Sequence, residues 1–124
     1  LSILIYMEKI FSNLYKDLIK NISINGNPHE KFLFKSRSHL IIIFCIASNQ
    51  SVTLEQLCEK VPYKIISRST IQSILKEGVA NNFLKKEIDE NDKRQKNYKL
   101  SDTSKGMLKN WLENQKKLID SKVA

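Results

Sequence analysis

At 124 residues, 41% of them hydrophobic, the chain has the size of one domain and enough apolar material for a core without disulfides or a structural metal. Lysine and arginine number 21 against 13 acidic residues, a net charge of +8 that favours a polyanionic partner, either nucleic acid or an anionic surface. Only Arg37, Arg68 and Arg94 are arginines, so the lysine-rich total says less than where the charge sits.

Residues 3–22 place Ile3, Met7, Ile10, Phe11, Leu14, Leu18 and Ile22 at spacings of three and four, opposite Glu8, Lys9, Asn13, Lys16, Asp17 and Lys20. That pattern predicts one amphipathic helix. Ser23–His29, with Gly26 and Pro28, reads as the loop that ends it. A second helix is expected from Ser36 or Ser38 to Ser48, where Ile41, Ile42, Phe44, Cys45 and Ile46 leave few polar faces and point to a central position. A strand fragment follows. Thr53 then caps a short helix, Leu54–Lys60, with Gln56 at the capping-box position, and Pro62 ends it.

After the connector Pro62–Ile66, Ser67 or Ser69 caps a helix that reaches about Asn81. Leu84–Asp89 and Asn97–Leu100 read as strands around the polar turn Glu90–Lys96. Ser101 or Asp102 caps a last helix with Met107, Leu108, Trp111, Leu112, Leu118 and Ile119 on its apolar side. The expected fold class is therefore mainly α with a small β-hairpin (α+β), as a single domain over residues 1–124 without repeats or low-complexity linkers. The apolar runs Leu1–Met7 and Leu40–Ala47 are too short to span a bilayer, so the expectation is a soluble cytoplasmic protein with no membrane partner. Cys45 and Cys58 form no CxxC pair and fall on apolar helix faces, which reads as two buried, reduced thiols.

The helix from Ser67 divides cleanly. Ile71, Ile74, Leu75 and Val79 form an apolar face, while Ser69, Gln72, Ser73 and Lys76 face outward with Arg68 at the start and Glu77 to one side. A helix that reads base edges needs hydrogen-bonding side chains there and no acidic repulsion. Arg68 suits guanine and Gln72 suits adenine; Ser67, Ser69 and Thr70 suit phosphates at the helix start. Any surface helix has a polar face, but here a short helix precedes it and a cation-rich hairpin follows. Lys93, Arg94, Lys96 and Lys99 put four positive charges into seven residues without a carboxylate. Such a tip suits solvent or a polyanion, and Arg94 suits a narrowed minor groove.

The stretch Ser51–Leu108 resembles the winged helix-turn-helix of MarR-family transcription regulators. The most specific part is NDKRQKNYKLSDTSKG, in which Asp92, Arg94, Tyr98, Leu100, Ser101 and Gly106 match that family's wing and the turn into its last helix. SRSTIQSIL, Ser67–Leu75, looks like the start of its recognition helix. The resemblance implies a DNA-binding winged helix over 51–101, with helices 1–22 and 102–120 forming a homodimer interface. It implies sequence-specific binding of double-stranded DNA, with Arg94 on the DNA and Asp92 holding the wing. It also implies room for a small-molecule effector between the dimer helices and the winged domain, though no residue identifies one. The chain departs from the family in a longer connector, PYKIIS, and in Ser73 where an arginine is common. Gly78 stands at a usually apolar helical position, at about 1 kcal/mol of helix preference. Asn82 replaces the glycine that usually closes the recognition helix.

The alternative is a winged-helix module whose outer face binds another protein without reading DNA. Catalysis has little support: His29 and His39 fall on different elements, with no HExxH, GxSxG or Walker loop. Glu87, Asp89, Glu90 and Asp92 lack the ligand spacing of an EF-hand. No catalytic residue, metal or cofactor is expected.

Overall fold

The computed structural model describes residues 2–22 and 28–120. Among these the chain forms α1 (Ser2–Ile22), α2 (Pro28–Leu33), α3 (Arg37–Ala47), β1 (Val52–Thr53), α4 (Leu54–Lys60), α5 (Arg68–Ala80), β2 (Leu84–Ile88), β3 (Lys96–Leu100) and α6 (Asp102–Asp120).

Side-chain caps fix where four helices begin. Ser36 Oγ accepts from His39 N at 3.2 Å, which places the α3 cap at Ser36 rather than Ser38. Thr53 and Gln56 form a complete capping box on α4, Gln56 N donating to Thr53 Oγ1 at 3.1 Å and Thr53 N to Gln56 Oε1 at 2.9 Å. Ser67, not Ser69, caps α5 by accepting from Thr70 N at 3.2 Å, and Ser101 caps α6 by accepting from Ser104 N at 3.1 Å.

Two boundaries differ from expectation. The loop predicted over Ser23–His29 stops early because Pro28 opens α2, whose first turn needs no N–H from it. Residues 23–27 lie outside the described chain. In the hairpin, Ile88 pairs with Lys96, and Asp89 N donates to Gln95 O at 2.9 Å. This moves Lys96 from the turn into β3 and Asp89 out of β2. β1 adds to the other edge of β3 through Val52 opposite Tyr98, giving an antiparallel sheet of order β1-β3-β2.

The core gathers around α3. Ile42, Ile43 and Ile46 are fully buried, joined by Phe32 and Leu33 of α2 and Leu57 of α4. Ile71, Ile74 and Leu75 of α5 and Phe83, Leu84, Leu100 and Met107 close it from the other side. Cys45 and Cys58 are free thiols but half-buried rather than buried, because both sit at the edge of this cluster.

The junction of α5 and β2 aims the hairpin. Asn82 takes φ 62°, Asn82 N donates to Val79 O at 3.2 Å, and Phe83 N donates to Gly78 O at 2.9 Å. This is a Schellman motif with asparagine in the left-handed position. Gly78 is there for space: a Cβ would lie 2.6 Å from Leu84 Cδ1, 2.9 Å from its Cγ and 3.2 Å from Phe32 Cζ. Gly106 in α6 is exposed, with nothing within 4 Å of its hypothetical Cβ. The two glycines should therefore respond oppositely to alanine. Gly106→Ala should gain up to about 1 kcal/mol from helix preference. Gly78→Ala should lose up to about 2 kcal/mol, as overpacking outweighs that gain. Paired urea melts measure both.

A polar cluster ties α3 to α5. His39 is buried, with Nδ1 2.6 Å from Ser36 Oγ and Nε2 2.9 Å from Glu77 Oε1, and Lys35 Nζ also bonds Glu77. Hydrogen bonds from His39 and Lys35 hold the Glu77 carboxyl below its ordinary value of 4.5. A carboxyl depressed in the folded state adds stability above its unfolded value and loses it as pH falls through the folded one. The melting temperature should thus decline between roughly pH 5 and pH 3, and less steeply in Glu77→Gln. Equal slopes in thermal melts would contradict this.

α1 is tied to α6 by Tyr6 Oη donating to Ile119 O at 2.9 Å and Asn114 Nδ2 donating to Asp17 Oδ1 at 3.0 Å. Trp111 anchors α6 against the rings of Phe34 and Phe44. Much of α1's apolar stripe remains uncovered: Ile3 is 69% exposed, Phe11 59% and Leu18 46%. No helix among the described residues is long and apolar enough to cross a membrane.

Candidate nucleic-acid interface

α4 and α5 stand as the two helices of a helix-turn-helix, and the β2–β3 hairpin follows as a wing. Between α5 and the wing runs an open cleft. Arg68, Gln72 and Lys76 recur every four residues along α5 and line one wall. Lys86, Arg94, Lys96 and Tyr98 line the other. The sheet's two-residue alternation explains this set: Tyr98 lies opposite Lys86, and Lys96 is two residues from Tyr98 on the same face.

Of the residues singled out in the sequence, Arg68, Gln72, Lys76, Asp92, Arg94 and Lys96 come together at this cleft. Ser67, Ser69, Thr70, Ser73 and Lys93 are exposed but lie outside it. The hydroxyls at the start of α5 are engaged with one another, Ser67 Oγ lying 3.1 Å from Ser69 Oγ and 2.9 Å from Thr70 Oγ1. Lys99 falls on the opposite face of the hairpin, where its Nζ meets Glu87 Oε1 at 2.7 Å. Lys86 was not singled out, because four of the five residues of β2 are exposed and the strand shows no apolar alternation. Pairing the two strands by register is the signal that would have found it.

The cleft holds five cations, Arg68, Lys76, Lys86, Arg94 and Lys96, against two carboxylates, Glu55 and Asp92. Both carboxylates are occupied. Asp92 Oδ1 accepts from Arg94 N at 3.0 Å and from Arg94 Nε at 3.4 Å, bracing the wing turn, while the Arg94 side chain stays 94% exposed. Glu55 pairs with Arg68 in a two-pronged bond. The Arg68 hydrogen bonds hold the Glu55 carboxyl below its ordinary range, so it is ionised at neutral pH. Burial pushes the Tyr98 phenol up, keeping it a neutral hydroxyl in the cleft. What remains is a positive groove with hydrogen-bonding side chains and one fully presented arginine. No group of His, Cys, Asp and Glu among the described residues could hold a metal ion.

Comparison with solved structures gives the fold. Wild-type apo MarR from E. coli superposes with a TM-score of 0.53 at 18% identity, covering 98% of this chain and 76% of that one. The fold is thus the winged helix-turn-helix seen in MarR. A structure of reduced AbfR bound to DNA matches with a TM-score of 0.53 at 18% identity, covering 99% of this chain and 80% of its own. A MepR mutant from a multidrug-resistant S. aureus clinical isolate matches with a TM-score of 0.51 at 12% identity, covering 91% and 84%. No family model and no curated protein matches the sequence.

Proposed function

We propose that this protein is a homodimeric, MarR-like transcriptional regulator that binds double-stranded DNA in a sequence-specific manner and catalyses no reaction. The observation that carries this is the joint lining of one cleft by the Arg68–Gln72–Lys76 row and the cations of the wing. In this reading α5 enters a major groove, where Gln72 and Arg68 meet base edges. Lys76, Lys86 and Lys96 hold phosphates, Arg94 follows the flanking minor groove, and the protein works in the cytoplasm beside its DNA.

A second copy supplies the second half-site. The uncovered apolar stripe of α1, continued by exposed Leu112 and Ile119 on α6, is larger than a solvated helix face needs and supports docking to an identical chain. Two recognition helices would then sit about 34 Å apart, one turn of DNA. Phe11→Asp is expected to convert a dimer to a monomer in light scattering after gel filtration. A dimer that persists would remove α1 from the interface.

Fluorescence anisotropy with a labelled duplex, titrated at increasing salt, tests DNA binding itself. The expected result is tight binding at low salt that weakens linearly on a log–log scale, and no binding at low salt would end the proposal.

A further inference from the structure

Glu55 is the one carboxylate in the cleft that reaches across the helix-turn-helix. Its Oε1 accepts from Arg68 Nη2 at 2.5 Å and its Oε2 accepts from Arg68 Nη1 at 3.1 Å, while Nη1 also lies 3.9 Å from Cys58 Sγ. The Glu55 side chain is 68% exposed and that of Arg68 52%. An ion pair so open to water contributes little to stability, so its geometry matters more than its energy.

The edge that Glu55 occupies is the Nη1/Nη2 fork, one of the two edges through which arginine makes a pair of parallel hydrogen bonds to a phosphate or to guanine O6 and N7. The Nε–H edge remains open. We propose that Glu55 is a positioning residue for Arg68: it withholds the guanidinium's end fork from passing phosphates and leaves the side edge for a base. This rests on the DNA-binding reading of the cleft and adds to it a source of discrimination. Specificity is a difference of affinities, and a carboxylate that competes with phosphate lowers the sequence-independent part. Because Glu55 sits on α4 and Arg68 on α5, the same pair also fixes where along the groove the arginine is presented.

Glu55→Gln keeps the side chain's size and removes its charge. On a random-sequence duplex the log–log salt slope is expected to steepen by about 0.9, the signature of one more phosphate contact, and affinity at 0.15 M salt to rise about fivefold. In an Arg68→Ala background the same substitution should leave the slope unchanged, because no fork remains to be released. An unchanged slope in Glu55→Gln overturns the inference. So does equal steepening in both backgrounds, which would mark a general charge effect. If the unaltered protein binds no duplex, the DNA-binding reading falls together with it. If it binds and only the Glu55→Gln slope stays unchanged, the positioning role alone is lost.

Discussion

Replacing Arg94 and Lys96 together by glutamate is expected to lower affinity for duplex DNA by about a thousandfold at 0.15 M salt. Each phosphate neutralised accounts for a salt slope of about 0.9, or roughly fivefold at that concentration, and the double reversal changes four units of charge. Both residues face the α5 row across the cleft, and Arg94 is almost wholly in solvent with a single 3.4 Å side-chain contact to Asp92, so the core should be unaffected while the Arg94 N–H bond to Asp92 still braces the turn. Lys99→Glu is the internal control. Lys99 lies on the far face of the same hairpin and is already paired with Glu87, so its reversal should cost far less. Anisotropy titrations of the three proteins make the comparison. A loss of roughly thirtyfold from Lys99→Glu, the share its two units of charge would carry, would mean that the hairpin's overall charge matters and its facing does not.

The largest loss of stability is expected from Phe83→Ala, at about 3–5 kcal/mol. Phe83 is fully buried, its ring centroid 5.0 Å from that of Phe32 and 5.6 Å from that of His29. Its backbone is the junction between α5 and the wing. Its N–H closes the Schellman motif on Gly78, and its carbonyl accepts from Ser104 Oγ at 2.7 Å and Ser101 N at 3.1 Å. Truncation leaves a cavity where α2, α5, β2 and the start of α6 meet. A loss of that size is a large share of the 5–15 kcal/mol that typically holds a domain together. Urea denaturation measures it, and a change below about 1 kcal/mol would show that the site collapses freely around the missing ring.

Features written in local chemistry were legible in the sequence. The Thr53–Gln56 capping box depends on a few neighbouring residues and stands where it is expected; the α5 cap falls on Ser67, one of the two serines offered, and Asn82 takes the left-handed position that the family resemblance implies. The division of α5 into an apolar and a polar face was legible too, since it follows from helical spacing alone. Features set by tertiary neighbours were not. α2 spans six residues, too few for a period to show, although its Phe32 and Leu33 are core residues. Gly78 reads in sequence as a weakness of the helix, and its reason lies in Leu84, which packs against it from β2. The Glu55–Arg68 pair joins residues on separate helices, which no spacing rule connects. For α1 the stripe follows from helical spacing, but how little of it the other described helices cover is set by tertiary packing.

The central claim is that α5 and the wing together form one face for duplex DNA. Titrating a short duplex into isotope-labelled protein and following backbone amide shifts by NMR tests it directly. The expected perturbations fall on residues 67–76 of the recognition helix and 92–96 of the wing, with α1 and the far half of α6 undisturbed. Shifts confined to α1 and α6, or none at saturating duplex in low salt, would contradict it.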